Sequence, residues 1–142
     1  MKKLQDIMTK EVETCKPTDD LFQAATKMKN LDVGIIPVCD ESKNLMGVVT
    51  DRDLVIRGYA DKKPGSTEIQ EVMSERIYSG TPDMTLQEAS SIMSEEQIRR
   101  LPVVENQKLV GIVALGDLAL DDMSNEAAGR ALEEISETEE LH

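Results

Sequence analysis

The residues best suited to hold a small polar molecule begin at Thr50, where a hydroxyl and a carboxylate are spaced three residues apart. Asp53 stands at the predicted start of a helix, and its carboxylate can accept charge-assisted hydrogen bonds worth about 1.5–3 kcal/mol each. The free N–H groups of a helix N-terminus also suit an anion. The same Thr-x-x-Asp spacing is equally a capping box, which needs no ligand. Both interpretations stay open at the level of sequence.

A second candidate pair, Arg99 and Arg100, precedes a predicted strand. A guanidinium group suits phosphate because its planar fork can bind two oxygens. The chain has 16 Lys and Arg against 28 Asp and Glu, for a formal net charge of −12. Two adjacent arginines are therefore more informative here than in a basic protein. The alternative is a solvated pair that neutralises nearby acids such as Glu95 and Glu96.

Composition excludes most catalytic chemistry. The single histidine, His142, is the last residue, which removes histidine acid–base catalysis and an ordinary His/Cys zinc site. The chain has no phosphate-binding loop of the G-x-x-x-x-G-K type. We therefore expect no catalytic residues, no required cofactor, no metal site and no enzymatic activity.

Charge and hydropathy limit which partners the protein is expected to bind and in which compartment it is expected to lie. An excess of acid repels nucleic-acid backbones and anionic membranes, so neither is an expected partner. No apolar run approaches the roughly 18 residues of a transmembrane helix, and Met1–Met8 lacks the apolar core of a signal peptide. We expect a cytoplasmic protein in which Cys15 and Cys39 are reduced, buried and inert.

The elements that must position these residues occur twice, because the two halves of the chain repeat one pattern. One residue is dropped from the turn of the second copy. Identical residues in register include Met8 and Met73, Pro17 and Pro82, Leu21 and Leu86, Ala24 and Ala89, Met28 and Met93, Pro37 and Pro102, Gly47 and Gly111, and Asp53 and Asp117.

Each copy predicts the order strand, helix, strand, strand, helix, after a short helical turn such as Leu4–Met8. In the first copy the strands are expected near 12–15, 35–38 and 45–49. Thr18 is a plausible N-cap for the first helix, whose apolar residues recur at helical spacing. Gly47 and Gly111 interrupt apolar strands, which indicates a close backbone approach or a bulge more than a ligand contact.

The predicted fold class is α/β (α+β), with a first motif and linker at residues 1–65, a second motif at 66–123 and an acidic tail at 124–142. Copies of about 55–60 residues bury surface only marginally by themselves, so we expect them to pack sheet to sheet about a pseudo-twofold axis, leaving two clefts. The tail is predicted to be helical from a cap at Ser124. A solvated helix is the favoured interpretation, and a partner-binding or dimer-capping helix is the alternative.

These residues identify a family. GIIPV at 34–38 with LMGVVTDRDL at 45–54, followed by RRLPVV at 99–104 with LVGIVALGDL at 109–118, resembles two CBS motifs over roughly residues 1–123. The whole resembles a stand-alone bacterial CBS pair, or Bateman module. The resemblance implies adenine-nucleotide-type ligands, with candidates AMP, ADP, ATP, NAD, S-adenosylmethionine or a cyclic dinucleotide. It also implies that the pair dimerises into a flat disc of four motifs.

The resemblance implies roles for the candidate residues, with the hydroxyl and carboxylate facing ribose and phosphate and Arg100 facing phosphate. The first cleft is expected to contain Thr50, Arg52, Asp53, Gly80, Thr81, Arg99 and Arg100. The second is expected to contain Cys15, Lys16, Gly34, Ile35, Ala114 and Asp117. It departs from the pattern, because Ala114 lacks a hydroxyl and Gly116 replaces the arginine. Losing one neutral hydrogen bond costs about 0.5–1.5 kcal/mol, so the first cleft is expected to bind more tightly.

Two functions remain open. The first is a regulatory module that binds an adenine nucleotide or adenosyl compound and signals in trans to an unknown effector protein, as a homodimer. The second is a structural or oligomerisation module with vestigial clefts. Persistence of Asp117 without a hydroxyl partner at Ala114 favours the first, because a pure capping role would not need the Asp alone.

Overall fold

A computed structural model describes residues 2–121 and residue 135. Contacts divide the chain into two compact units. We call Glu13–Ile77 the first-repeat unit, and the residues up to Val12 together with those from Tyr78 onward the second-repeat unit. The sequence boundaries at 65 and 123 stay a prediction, and residues 1–12 group with the unit that holds the second copy. The predicted tail helix lies outside the described residues except for Ile135, which is helical and buried.

The first-repeat unit contains a two-stranded antiparallel sheet, one helix before it in the chain, and a segment of α-helix and π-helix after it. The helix buries Leu21, Ala24 and Met28, the face that the helical spacing predicts. Its elements are α2 (Leu21–Leu31), β1 (Ile35–Cys39), β2 (Leu45–Thr50), α3 (Asp51–Asp53), a π-helix (Leu54–Tyr59) and a 3₁₀ helix (Ile69–Glu71).

The second-repeat unit has the same order of elements and begins with α1 (Leu4–Ile7). Its core contains Leu4, Met93 and Leu101, all fully buried, and Ile135 at 2% exposure. The remaining elements are α4 (Leu86–Glu96), β3 (Arg100–Glu105), β4 (Lys108–Ala114) and α5 (Leu115–Ala119). Helices and two small antiparallel sheets confirm the α+β class; the packing of one sheet on the other stays a prediction.

The first predicted strand of each copy is shorter than expected. Near 12–15 the chain makes only an isolated parallel bridge, between Cys15 and Val38, and Gly80 forms the matching bridge with Val103. Cys15 donates its N–H to the Pro37 carbonyl at 3.0 Å. A single bridge is enough to place this segment against the open edge of β1, so the expected strand is reduced to one residue.

The predicted N-cap of α2 was wrong. Asp20, and not Thr18, caps this helix: its carboxylate accepts the Gln23 N–H at 2.8 Å, and the Gln23 side chain accepts the Asp20 N–H at 2.8 Å. A reciprocal capping box satisfies two backbone donors at once. Thr18 lies two residues earlier, in the turn that leads to the cap.

Gly47 and Gly111 are explained by a close backbone approach, which confirms the structural interpretation. A Cβ atom on Gly47 would lie 2.6 Å from the Ser74 carbonyl oxygen, and one on Gly111 would lie 3.0 Å from the Thr9 carbonyl oxygen and closer still to Met8. The neighbouring residues form bridges across the same gap. These positions therefore serve the packing of the sheets. Within residues 2–121, no helix is long and apolar enough to cross a bilayer.

Candidate functional site

Thr50 and Asp53 meet at the end of β2 and form a capping box. The Asp53 N–H donates to Thr50 Oγ1 at 3.0 Å, and the Thr50 N–H donates to Asp53 Oδ2 at 3.0 Å. Both residues are half-buried. The structural alternative foreseen for this motif is therefore present. It leaves Asp53 Oδ1 without a hydrogen bond to any described residue, so one carboxylate oxygen can still accept one from a ligand.

The neighbouring strand brings Gly34 and Ile35 to the same end of the sheet. Ile35 lies directly opposite Thr50 in the β1–β2 ladder, and the Asp51 N–H donates to the Gly34 carbonyl at 2.9 Å. The Asp51 carboxylate lies where a Gly34 side chain would be, 3.1 Å from an added Cβ. Arg52 is exposed beside them. Five of the predicted site residues, Thr50, Arg52, Asp53, Gly34 and Ile35, therefore cluster with Asp51 at one sheet end.

Cys15 and Lys16 lie elsewhere in this unit. Cys15 is opposite Val38, three positions along β1 from Ile35, which corresponds to about 10 Å at strand spacing. Its side chain is 1% exposed, and its backbone N–H and carbonyl are both used, by Pro37 and Cys39. Its remaining capacity to bind a ligand is therefore small, whereas Lys16 is exposed.

Both cysteine thiols are held in the protonated form. Burial raises the pKa of the Cys15 thiol, and nearby Lys27 opposes that shift. Burial also raises the pKa of Cys39, to about 11. Neither cysteine is in a disulfide. Thiols protonated at neutral pH are poor nucleophiles and poor metal ligands, so neither adds reactive chemistry to the site.

The second-repeat unit places Arg99, Arg100, Ala114 and Asp117 at the equivalent end of its own sheet. Arg100 lies directly opposite Ala114, and the Leu115 N–H donates to the Arg99 carbonyl at 2.8 Å. Arg99 is exposed and Arg100 is half-buried. Among residues 2–121 and 135, the Arg100 guanidinium makes no hydrogen bond or ion pair. An anion could therefore bind it without displacing a described protein partner.

Asp117 also has a capping role that the sequence argument missed. Its Oδ2 accepts the Ala114 N–H at 3.3 Å, which is the half of a capping box that requires no hydroxyl. The inference that a pure cap would not need the Asp alone was therefore wrong. A carboxylate three residues after any N-cap can accept the N-cap N–H, and the spacing alone could have indicated this.

Gly80 and Thr81 have structural partners of their own. The Gly80 N–H donates to the Pro102 carbonyl, and the Gly80 carbonyl accepts the Val104 N–H. A Cβ atom on Gly80 would lie 2.8 Å from Leu4 Cδ1. The exposed Thr81 hydroxyl donates to Asp83 Oδ1 at 2.7 Å. That hydrogen bond is the main reason why the pKa of Asp83 is lowered. A larger residue at position 80 would therefore have to displace the ends of the Leu4, Leu101 and Met84 side chains.

The two sheet ends carry different sets of groups. The first-repeat unit offers a hydroxyl and a carboxylate, but has Ile35 where the second has Arg100. The second-repeat unit offers an arginine and a carboxylate, but has Ala114 where the first has Thr50. Sequence reasoning grouped Arg100 with Thr50 and Asp53 in one cleft; that grouping spans both units and stays a prediction. Within its own unit, Arg100 lies at the same sheet end as Asp117, because its strand partner Ala114 donates its N–H to that carboxylate.

No group of three or more His, Cys, Asp or Glu side chains within residues 2–121 is arranged to hold a metal ion.

Comparisons of sequence and of structure identify proteins that are related to this chain. The sequence model of the CBS domain family matches residues 4–58 and 69–121. An uncharacterised protein of Bacillus subtilis, YlbB, is 49% identical over 138 residues, which cover 96% of this chain and 93% of YlbB.

Two solved structures extend the comparison. Hypoxic response protein I, crystallised with two coordinated zinc ions, matches with a TM-score of 0.76 and 36% identity, over 84% of this chain and 98% of that one. The CBS domain pair of protein MJ0100, in complex with 5′-methylthioadenosine and S-adenosyl-L-methionine, matches with a TM-score of 0.73 and 25% identity, over 83% and 97%. The two family matches together cover most of the chain and coincide with the internal repeat, and on these grounds the chain belongs to the CBS domain family as a tandem pair.

Proposed function

We propose that this chain is a regulatory module that binds an adenine nucleotide or a related adenosyl compound and signals in trans to a separate effector protein. The proposal assigns the chain no catalytic step. Ligand contacts are assigned to the two sheet ends: Thr50, Arg52 and Asp53 in one, Arg100 and Asp117 in the other.

The Arg100 side chain is the observation that carries this proposal. Arg100 is half-buried, and its guanidinium has no partner among the described residues, although the chain has 28 acidic residues that could neutralise it. A cation without an acid partner is available to an external anion, and guanidinium binds phosphate through two oxygens. Phosphorylated adenine compounds are therefore the first candidates. The MJ0100 pair, which binds adenosyl compounds, supports the nucleoside part of the assignment.

Binding assays would test the proposal directly. We expect at least one of AMP, ADP, ATP, NAD, S-adenosylmethionine and a cyclic dinucleotide to raise the melting temperature of the full chain. Ligand at 100 times its Kd stabilises a fold by about 2.7 kcal/mol. For a phosphorylated ligand, Arg100→Ala should weaken binding about 10- to 100-fold, because charge-assisted hydrogen bonds contribute about 1.5–3 kcal/mol. Binding of the unphosphorylated nucleoside should change much less.

Lys29→Ala is the matched control, because it also removes one positive charge but lies exposed in the last turn of α2. It should leave the Kd unchanged. Asp53→Asn keeps a side-chain oxygen for the cap while removing the charge, so it separates ligand binding from helix capping. Equal losses in Arg100→Ala and Lys29→Ala would contradict a specific phosphate contact.

The structural module remains the second candidate, and specific hydrogen bonds favour it. Thr50, Asp53 and Asp117 all serve helix starts, and the backbone groups of Cys15 and Gly80 are used within the sheets. If no compound in the panel shifts the melt, these residues serve the fold alone and the ligand proposal fails.

The proposal also includes homodimerisation and a cytoplasmic location. Six large apolar side chains are exposed in the first-repeat unit, which supports a protein–protein contact. Two cysteines outside any disulfide are typical of a reducing compartment.

A further inference from the structure

Each unit contains a short segment that comes from the start of the other copy of the repeat. Residues 2–9, which begin the first copy, belong to the second-repeat unit, and residues 67–74, which begin the second copy, belong to the first-repeat unit. We call these segments the N-terminal strap and the linker strap. Each unit is therefore completed by residues from the other copy.

Both straps pair with the strand that ends at a candidate ligand site. Thr9 exchanges two main-chain hydrogen bonds with Ile112 in β4, at 2.9 and 3.0 Å, and Ser74 exchanges two with Val48 in β2, at 2.8 and 2.9 Å. In both strands the paired residue lies two positions before the N-cap of the helix that follows. Each of these strands therefore lies between its sheet partner and a strap.

The N-terminal strap makes a further contact after the helix. Lys2 Nζ lies 2.8 Å from Asp121 Oδ2, and the Asp121 side chain is 5% exposed whereas that of Lys2 is 52% exposed. Removing one partner of a buried ion pair is costly, because it leaves a charge uncompensated in the interior. Asp121 follows α5, and its N–H donates to the Leu118 carbonyl at 3.2 Å. The ion pair therefore ties the strap to the end of α5.

The N-terminal strap thus holds the chain on both sides of the ligand end of the second repeat. Thr9 binds β4 two residues before Ala114, and Lys2 binds Asp121, four residues after Asp117. Four residues make about one helical turn, so Asp117 lies in the first turn of α5 and Asp121 lies just after its last turn. A short helix that is fixed at both ends keeps the direction of the groups at its start.

The first-repeat unit has the same arrangement with a weaker contact. Arg57 is the counterpart of Asp121 in the repeat, and its Nη1 donates to the Met73 carbonyl in the linker strap at 3.3 Å. That hydrogen bond joins a cation to a neutral carbonyl, and it is longer than the ion pair of the N-terminal strap. One position after the ligand end therefore contacts a strap in both units, and in the second-repeat unit the contact is a charge pair.

We propose that the N-terminal strap holds the ligand end of the second repeat in its binding conformation, and that Lys2 is a positioning residue for that end. In the proposed function, on which this rests, Arg100 and Asp117 bind a phosphorylated adenine compound. Arg100 lies opposite Ala114, and β4 lies between the strand of Arg100 and the strap. Loosening the strap therefore frees the strand and the helix that orient these groups. Because coupling between sites is reciprocal, a ligand bound at this end also tightens the strap.

Binding of AMP to the full chain, measured by calorimetry, tests the inference with three variants. Lys2→Gln removes the cation of the pair, Lys2→Arg keeps it, and Lys10→Gln removes an equal charge from an exposed position just beyond the strap. We expect Lys2→Gln to raise the Kd for AMP by about 3- to 10-fold, as residues that do not touch a ligand can. Lys2→Arg and Lys10→Gln should stay within about 2-fold of the wild type. Equal losses in Lys2→Gln and Lys10→Gln would overturn the positioning role, because charge alone would explain them.

Amide hydrogen exchange without ligand separates positioning from a general loss of stability. In Lys2→Gln the amides of Ile112 and Leu115, which lie on either side of the ligand end, should exchange at least about 10-fold faster, because this region opens locally. The amides of Val48 and Ser74 in the first-repeat unit should keep their wild-type rates. Acceleration of all four amides alike, or of none, would overturn the inference.

Failure of the strap and failure of the ligand proposal give different results. If the wild type binds AMP, the ligand should slow exchange of the Thr9 amide, and an unchanged rate would overturn the reciprocal coupling. If the wild type does not bind AMP, that result counts against the phosphate ligand of the proposed function. The exchange rates of Lys2→Gln without ligand then decide the strap: local acceleration supports its hold on the turn from β4 to α5, and its absence overturns it.

Discussion

At the residue scale, the same side chains serve helix capping and are candidates for ligand binding. Thr50 and Asp53 exchange two hydrogen bonds at the start of α3, and Asp117 keeps one of these with Ala114. Each carboxylate has a second oxygen, so the structural role does not use up its capacity to accept hydrogen bonds. A cap also fixes the orientation of the carboxylate, which reduces the entropy lost when a ligand binds.

Completing the missing cap should stabilise the second repeat. In Ala114→Ser, a hydroxyl becomes available to accept the Asp117 N–H, as Thr50 accepts that of Asp53, and Ala114 already has the extended backbone of an N-cap. We expect the free energy of unfolding to rise by about 0.5–2 kcal/mol. Urea titration measures it, with Thr50→Ala as the converse variant that should lose a similar amount. A destabilised Ala114→Ser would contradict the capping assignment.

At the element scale, local sequence signals gave the order of helices and strands but erred at their ends. The apolar spacing of α2 and the apolar strands β1 and β2 were foreseen to within a residue or two. The cap was misplaced because Thr18 and Asp20 are both good N-cap residues, and only Asp20 has a glutamine three residues later to complete the box. The π-helical turn at Leu54–Tyr59 has no sequence signal that we recognise.

The corrected cap of α2 gives a direct comparison. Asp20→Ala removes the acceptor of the Gln23 N–H and should lower the free energy of unfolding by about 1 kcal/mol. Thr18→Ala should change it by a few tenths of a kcal/mol at most, because Thr18 is exposed and accepts no N–H from the first turn. Chemical denaturation of both variants measures the difference. A larger loss in Thr18→Ala would restore the original assignment.

At the scale of the whole molecule, the two repeats share one order of elements but differ in their exposed apolar residues and in their charged residues. The first carries exposed apolar side chains and a Thr–Asp pair; the second carries Arg100 and has Ile135 in its core. Binding of an anion by a chain of net charge −12 requires a local cation. Under the proposed function, Arg99 and Arg100 on the second repeat provide this cation.

The buried cysteines should limit stability at alkaline pH. Burial raises the pKa of Cys39 to about 11, above its ordinary value of 9.0. The folded state therefore retains a proton that the unfolded state loses, so stability is full below pH 9 and falls as pH rises toward 11. The Cys39 contribution amounts to at most about 2–3 kcal/mol, at 1.36 kcal/mol per pKa unit.

Denaturant midpoints of the wild type and Cys39→Ala between pH 8 and 11 test this. The loss of stability with pH should be smaller in Cys39→Ala, even if the variant is less stable at pH 8. Identical pH dependence in both proteins would show that Cys39 titrates as freely as in the unfolded chain. Cys15, whose pKa is also raised by burial, should contribute in the same direction.

Sequence patterns were enough to establish the repeat, the α+β class and the family, because these depend on local periodicity and on residues close together in the chain. Tertiary structure decided which residues have capacity left for a ligand. Pairing across the sheet used the backbone groups of Cys15 and Gly80, placed Arg100 opposite Ala114, and grouped α1 with the unit of the second copy. Such contacts join residues far apart in sequence, and their geometry depends on strand register and packing, which a pattern of residue types does not specify.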